Sequence, residues 1–233
     1  MILPNVTAHI VQRGNNKQAC FYHNKDYAVY LTKLKETAVK FDVQIHCFVL
    51  MTNHVHLLMT ATKSNGISRL MQSLGRYYVR YFNTAYRRTG TLWEGRFKSS
   101  LINSKEHLLN VYQYIEMNPV RAHMVSHPRY YSWSSYHANG ADKDISLITP
   151  HPLYLVLGDS KAQRVSRYND LISKDLSETV TLQITHTSDK SLVLGNDRFV
   201  HEISQQLKRF AGHLGHGGDR RSEKFSRLMD YSD

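Results

Sequence analysis

The chain has 233 residues, with 30 basic and 19 acidic side chains, a formal net charge of +11 and an isoelectric point near 9.6. This length allows one large domain or a domain with an appendage, and the positive charge indicates an anionic partner, nucleic acid first. Two cysteines, no signal-peptide pattern and no apolar run near the ~20 residues that span a bilayer argue against disulfide-rich, secreted and membrane proteins. We therefore expect a cytoplasmic location, with Cys20 and Cys47 reduced and buried.

Hydrophobic periodicity predicts strands and helices through the first 118 residues. Alternating or continuous apolar runs predict four strands, at residues 7–13, 43–50, 55–60 and 97–102. Apolar residues at helical spacing predict three helices, at residues 26–41, 66–87 and 105–118. The order β-α-β-β-α-β-α predicts an α+β fold, a ferredoxin-like or RRM-like antiparallel sheet with helices on one face. The opposite face of the sheet is expected to stay free.

The composition changes after about Asn139, where GADKD reads as a linker or exposed loop. We predict a first domain at residues 1–139 and a mostly helical C-terminal extension at 140–233. The extension is expected to contain helices at residues 153–157, 161–172 and 196–211. Its tail is rich in glycine, histidine and charge, which favours a flexible basic tail over a metal pair formed by His213 and His216. We expect basic tail residues such as Arg220 and Arg221 to help to hold DNA.

The second predicted helix carries a row of arginines opposite its apolar face. They fall within about 20° of a common line on a helical wheel, and they are Arg69, Arg76, Arg80 and Arg87. Such a row can be an ordinary solvated face. Because the row has one sign of charge on an already basic protein, it favours contact with phosphates.

Two histidines flank one apolar residue in the segment NHVHLL. In a strand, side chains alternate between faces, so His54 and His56 point the same way while Val55 points into the core. An isolated pair of this kind is usually two polar residues on a solvated face. Two imidazoles side by side on a rigid strand also make half of a metal site, and a later helix favours that interpretation.

That later helix, KEHLLNVYQYIEMN, ends before Pro119 and places Tyr114 about 120° away from its apolar stripe. Tyr114 is therefore not needed for the core, and Asn118 follows it one turn later on the same face. Tyrosine can act as a nucleophile, but its pKa near 10 leaves little of it ionised at neutral pH. A metal held by the two histidines and Asn118 would help by polarising a phosphoryl oxygen for in-line attack.

The segments NHVHLL and YIEMNPVRA resemble the single-tyrosine HUH transposases, and most closely the branch of REP-associated tyrosine transposases. Further similar segments are HIVQRGNNKQACF, TGTLWEGRFKSS, WSSY and LGNDRFVHEI. Together they extend from near the start of the chain to Asn139, and the resemblance is weaker beyond that residue. The positions four residues from Tyr114 are asparagines, so the pattern contains one nucleophile, as in transposases, rather than the two of many replication initiators.

The resemblance implies a metal-dependent transposase that cleaves and rejoins single-stranded DNA near hairpin repeats through a 5′-phosphotyrosine. It implies Tyr114 as nucleophile, His54 and His56 as metal ligands, Asn118 as third ligand, and Mg²⁺ or Mn²⁺ as the ion. It makes residues 1–139 the catalytic domain. The residues expected to hold DNA phosphates are Arg13, Arg69, Arg76, Arg80, Arg96, Lys98 and Arg121.

Two alternative functions and the oligomeric state remain open at this point. The protein could be a non-catalytic binder of hairpin nucleic acid on an RRM-like sheet, although such sheets use exposed aromatic residues where this chain has histidines. It could also be a domesticated relative that keeps the site but acts as a regulator. Both a homodimer and a monomer are compatible with the sequence, and no membrane partner is expected.

Overall fold

A computed structural model describes residues 2–208 and 211–212. Four strands form one antiparallel sheet in the order β2-β3-β1-β4, and their bounds are β1 Ala8–Arg13, β2 Val43–Leu50, β3 His54–Ala61 and β4 Lys98–Leu101. Helices α1 Asn24–Phe41 and α2 Gly66–Ala85 lie between the strands in sequence, and α3 Ser104–Glu116 follows β4. The predicted order and the α+β class are confirmed.

Helices α1 and α2 cover one face of the sheet because their apolar stripes meet the inward residues of the strands. Ile10 of β1 and Leu57 of β3 point to this face and are fully buried against Leu70 and Tyr78 of α2. Helix α1 begins after His23, where the Asp26 carboxylate accepts hydrogen bonds from the backbone N–H groups of Tyr22 and His23.

The opposite face is not free as expected, because α3 and the C-terminal extension pack on it. Leu58 of β3 and Val49 of β2 point to this face and share a second core with Val111 and Ile115 of α3. Apolar residues on the second face of the sheet need a cover of their own, which the two-helix layer on the first face cannot supply. This second cover brings the end of α3 beside the outward-facing residues of β1 and β3.

The extension is helical, with more helices than the periodicity predicts. The short helices α4 Asn118–Arg121 and α5 Tyr136–Asn139 precede it. Its own helices are α6 Pro152–Leu155, α7 Lys161–Ile172, α8 Glu178–Lys190 and α9 Asp197–Leu207. Residues from the extension contribute to both cores, so the division near Asn139 is not visible as a gap in packing. The predicted tail residues from His213 onward lie outside the described residues.

Two further expectations concern the cysteines and membrane spans. Cys20 and Cys47 are buried and not disulfide-bonded, as expected. Within the described ranges no helix is both long and apolar enough to cross a bilayer.

His46 lies in β2 away from the histidine pair and links the sheet to the extension. Its Nδ1 atom hydrogen-bonds to the Thr149 carbonyl oxygen at 2.7 Å, and its Nε2 atom to the Thr60 hydroxyl at 2.9 Å. Burial lowers the pKa of His46 to about 4 from an ordinary value of 6.5. The folded protein therefore holds this imidazole neutral over a pH range in which the unfolded chain protonates it.

We expect His46 to make folding stability depend on pH. Its contribution is complete above pH 6.5 and is lost as the pH falls toward 4, about 2 kcal/mol of it by pH 5. The check is urea unfolding at several pH values for the wild type and for His46→Gln. The other buried histidines titrate in both proteins, so the difference between the two curves isolates His46. Parallel curves would contradict the prediction.

Candidate active site

His54 and His56 stand next to each other on β3, with ring centroids 5.0 Å apart. They point to the face covered by α3, because β3 turns Val55 and Leu57 toward the other core. The start of β3 is fixed by a close approach of the chain at Gly14. The Gly14 amide donates to the Asn53 carbonyl, and a Cβ on Gly14 would lie 2.2 Å from the Gln18 carbonyl oxygen. Only glycine fits there without a backbone shift.

Each of the two histidines uses its Nδ1 atom in a hydrogen bond to a neighbouring side chain. His54 Nδ1 donates to Asn53 Oδ1 at 2.7 Å, and His56 Nδ1 lies 2.8 Å from His9 Nε2. Within residues 2–208 and 211–212 neither Nε2 atom has a hydrogen-bond partner. Protein histidines that bind a metal are commonly held in this way, with one ring nitrogen oriented by a partner and the other left for the ion.

The environment keeps both imidazoles neutral. Burial, reinforced by the charge of Arg13, lowers the pKa of His54 to about 4. Burial also lowers the pKa of His56 well below 6.5, and the neighbouring His9, His54, Arg13 and Arg121 add to that effect. Neutral imidazole is the form that binds a metal, so the pair is in a ligand-competent state at neutral pH.

Tyr114, near the end of α3, contacts the histidines directly. Its ring centroid lies 5.9 Å from that of His56 and 6.0 Å from that of His9. The end of this helix is held by Asn118 and Arg121, which follow α3 in sequence. Asn118 Nδ2 donates to the Tyr114 carbonyl at 3.1 Å, and Arg121 donates to the same oxygen while its guanidinium lies 4.2 Å from the centre of the Tyr114 ring. The predicted juxtaposition of strand histidines and helical tyrosine is therefore present in a single chain.

Asn118, the predicted third ligand, is hydrogen-bonded to the end of α3 rather than to the histidine pair. It begins α4 one turn after Tyr114, and its amide nitrogen is used by the Tyr114 carbonyl. In the part of the chain that the structure describes, Asn118 makes no hydrogen bond to His54 or His56. Its amide oxygen is the atom that would serve as a ligand, since the nitrogen is already engaged.

Helix α8, which the sequence pattern does not predict, packs against this site. The Thr185 hydroxyl shares a hydrogen bond of 3.1 Å with the Tyr114 hydroxyl. Ser188 lies 2.9 Å from His9 Nδ1. Asp189 forms ion pairs with Arg13 at 3.6 Å and with Lys98 at 3.7 Å. As a result only 8% of Tyr114 is exposed.

The residues predicted to hold phosphates divide between the two faces of the sheet. Arg13 and Lys98 lie on the histidine face, where both are paired with Asp189. Arg69 and Arg96 line an open cleft of about 1070 Å³ beside α2, together with polar residues such as Gln12. Arg76 and Arg80 are exposed on α2, consistent with either a solvated face or a phosphate-binding one.

The donor set of the site fits a divalent ion. Among the described residues no group of three or more His, Cys, Asp or Glu side chains is placed to hold a metal. His54 and His56 supply two imidazole nitrogens, and an amide oxygen from Asn118 lies outside that set of residue types. Two imidazoles and an oxygen leave room for water and a phosphate oxygen, a combination that suits several divalent ions.

A family profile described as IS200-like transposases matches residues 3–118. The match takes in about half of the chain, including β3, α3 and the residues His54, His56 and Tyr114. The chain belongs to the IS200-like transposase family. The resemblance inferred from the sequence motifs is thereby confirmed at the level of the family. No curated protein matches this transposase significantly.

Two solved structures are similar to this chain. A REP-associated tyrosine transposase bound to a REP hairpin matches with a TM-score of 0.51 and 17% identity, over 65% of this chain and 95% of that chain. At this identity the match shows a shared fold. A protein described as a transposase, from Deinococcus radiodurans, matches with a TM-score of 0.37 and 19% identity, over 49% of this chain and 91% of that one.

Five residues of this site have no role in the sequence-based prediction: His9, Asn53, Thr185, Ser188 and Asp189. His9 has a detectable signal, because it is a histidine inside an apolar strand that shares the period of Arg13. Asn53 directly precedes the histidine pair. The three α8 residues carry no such signal, since their proximity depends on how the extension folds back.

Proposed function

We propose that this transposase is a metal-dependent transesterase of single-stranded DNA, with Tyr114 as the nucleophile. The observation that carries the proposal is the contact of the Tyr114 ring with His56, whose neighbour His54 shares its orientation and its available Nε2 atom. A tyrosine beside two ligand-competent imidazoles is a suitable arrangement for attack on a phosphodiester.

In the proposed step the Tyr114 hydroxyl loses its proton to solvent and its oxygen attacks the phosphorus atom. The bond between phosphorus and the 3′-oxygen breaks, and that oxygen takes up a proton. The products are a 5′-phosphotyrosine and a free 3′-OH. Attack of a 3′-OH on the phosphotyrosine reverses the step and rejoins the strand, so no external energy source is needed.

His54, His56 and the Asn118 amide oxygen are the residues that would hold the ion. When bound, a divalent ion would polarise a phosphoryl oxygen and orient the phosphodiester for in-line attack. We propose that the ion is Mg²⁺ or Mn²⁺, because phosphoryl transfer commonly uses these ions, although imidazole ligands also bind Zn²⁺. The protein itself keeps both imidazoles neutral and holds the Tyr114 ring in contact with His56.

The proposed substrate is hairpin DNA with a single-stranded flank. Support comes from the structural neighbour that was solved with a REP hairpin, from the net charge of +11 and from basic residues on both faces. Arg13 and Lys98 are placed to hold the strand near Tyr114. The cleft with Arg69 and Arg96 is open to a second segment of the DNA backbone, and Arg76, Arg80 and Arg121 complete the proposed contacts.

One observation favours the alternative of a DNA-binding protein without cleavage activity. Tyr114 is covered by α8, and its hydroxyl is engaged by Thr185. A phosphodiester reaches that hydroxyl only if it enters beside α8 or displaces it. A domesticated relative that binds hairpins would keep such a cover permanently closed.

The test is a cleavage assay on labelled single-stranded DNA that contains the hairpin repeats flanking the gene. Wild-type protein is incubated with Mg²⁺, Mn²⁺ or EDTA and then denatured to detect a covalent protein–DNA band. We expect a metal-dependent band whose DNA-linked peptide contains Tyr114. Binding without any covalent band under all conditions would refute the transesterase proposal and leave hairpin binding as the function.

Removal of the Asp189 carboxylate should strengthen DNA binding. Asp189→Asn frees Arg13 and Lys98 for phosphate, and we expect Kd for the hairpin to fall by roughly three- to tenfold at low salt. Both ion pairs are partly exposed, so the cost in stability should stay below about 1 kcal/mol. The measurement is DNA binding at two salt concentrations.

The matched control for this variant is Asp175→Asn. It makes the same charge change in the extension, and Asp175 has no ion pair among the described residues. Equal gains in both variants would show that net charge alone, rather than release of Arg13 and Lys98, governs affinity.

A further inference from the structure

A continuous hydrogen-bonded chain runs from α8 through β1 to His56. Ser188 Oγ lies 2.9 Å from His9 Nδ1, and His9 Nε2 lies 2.8 Å from His56 Nδ1. The His9 and His56 rings are stacked, with centroids 5.1 Å apart and planes 21° apart. All three side chains are buried, His9 completely.

The direction of this chain follows from the chemistry of imidazole. A histidine that offers Nε2 to a metal carries its proton on Nδ1, so His56 must donate to His9 Nε2. His9 then has its own proton on Nδ1 and donates it to Ser188 Oγ. His56 Nδ1 and both ring nitrogens of His9 then each have a hydrogen-bond partner. The His56 ring is held with Nε2 directed away from His9. A different tautomer of His9 would leave two N–H groups facing each other.

We propose that His9 is a positioning residue of this site, which fixes the tautomer and the ring orientation of His56, and that Ser188 fixes His9 in turn. The inference rests on the proposed function, because it assigns His56 as a metal ligand. It also gives the C-terminal extension a part in the site, since Ser188 belongs to α8. Partners of this kind typically change metal affinity by about 10- to 100-fold when they are removed.

Two substitutions of His9 separate positioning from packing. His9→Phe keeps a flat ring but removes the acceptor, and we expect Mn²⁺ affinity to fall by about 10- to 100-fold. His9→Gln offers an amide oxygen to His56 and an N–H to Ser188, and we expect it to restore affinity to within about threefold of the wild type. Ser188→Ala should give a smaller loss than His9→Phe.

His46→Phe is the matched control. His46 is another buried histidine of the same sheet with two hydrogen bonds, but its partners are Thr149 and Thr60 rather than a site residue. Thermal unfolding confirms that each variant is folded. We expect His46→Phe to lose stability and to leave Mn²⁺ affinity unchanged.

The experiment measures Mn²⁺ binding by electron paramagnetic resonance on the full-length protein without DNA, with His56→Ala included. Nitrogen-15 NMR reports the tautomers, and we expect His9 and His56 both to be protonated on Nδ1. Wild-type binding that depends on His56 but is unaffected by His9→Phe would overturn the inference alone. Wild-type binding that is absent, or indifferent to His56→Ala, would overturn both the inference and the proposed metal site.

Discussion

We expect Tyr114→Phe to abolish the covalent protein–DNA band and to reduce strand cleavage by at least about 1000-fold, because it removes the oxygen that we propose as the attacking atom. The substitution leaves the ring in contact with His56 and His9, and it leaves the backbone hydrogen bonds from Asn118 and Arg121 intact. Only the hydrogen bond with Thr185 is lost, which costs about 1 kcal/mol of stability. Hairpin binding should therefore be retained.

Tyr112→Phe is the control for this prediction. Tyr112 belongs to the same helix and is fully buried, but its ring contacts Tyr154 and Tyr168 rather than the histidines. Its loss of a hydroxyl should leave the covalent band unchanged. The measurement is single-turnover cleavage with saturating protein, so that affinity does not enter. A covalent band of normal intensity in Tyr114→Phe would assign the nucleophile to another residue.

The sheet and the helices that cover its first face were predictable because each carries a regular apolar period. The strand with His54 and His56 alternates cleanly, and α1 and α2 show wide apolar stripes, so their order and type follow from the sequence. These elements are consequences of local pattern combined with a single sheet. The cover over the histidines did not follow in the same way, because the face that carries Leu58 and Val49 was expected to stay free, whereas α3 packs on it and brings Tyr114 to the histidines.

Helix α8 was not predictable on the same grounds. Its sequence ETVTLQITHTSDK contains six β-branched residues, a composition that disfavours an isolated helix and weakens a helix prediction. It forms because Ile184 packs into the second core and because Thr187 and Ser188 turn toward β4 and His9. Tertiary contacts over about 90 to 180 residues of sequence decide this element, so the residues that cover Tyr114 were missed.

Glu116 shows the same limit at a single residue. It lies two positions after Tyr114, near the end of the same helix, and its charged side chain is completely buried. Burial raises its pKa, while four donors act in the opposite direction. Those donors are the Ser135, Tyr168, Asn139 and Cys47 side chains. They belong to β2, α5, α7 and the turn before α5, so one carboxylate joins α3 to the elements behind it.

We expect Glu116→Leu to lower the free energy of unfolding by about 3 to 5 kcal/mol, because the four buried donors would lose the carboxylate that accepts their hydrogen bonds. Glu116→Gln keeps one acceptor oxygen and should cost less than half as much. Glu106→Gln is the control on the same helix, since Glu106 is exposed and should lose at most about 0.5 kcal/mol. Urea unfolding measures all three variants.

A loss below about 1 kcal/mol in Glu116→Leu would show that the surrounding helices repack around the leucine. The expected loss has a further consequence for Tyr114. Cys47 and Asn139 bind α3 through the Glu116 carboxylate, while Arg121 and Asn118 donate hydrogen bonds to the Tyr114 carbonyl. Glu116→Gln should therefore weaken only the attachment through Glu116. If this variant stays folded at the assay temperature but forms less of the covalent band than the wild type, the attachment through Glu116 helps to set the position of Tyr114, the proposed nucleophile.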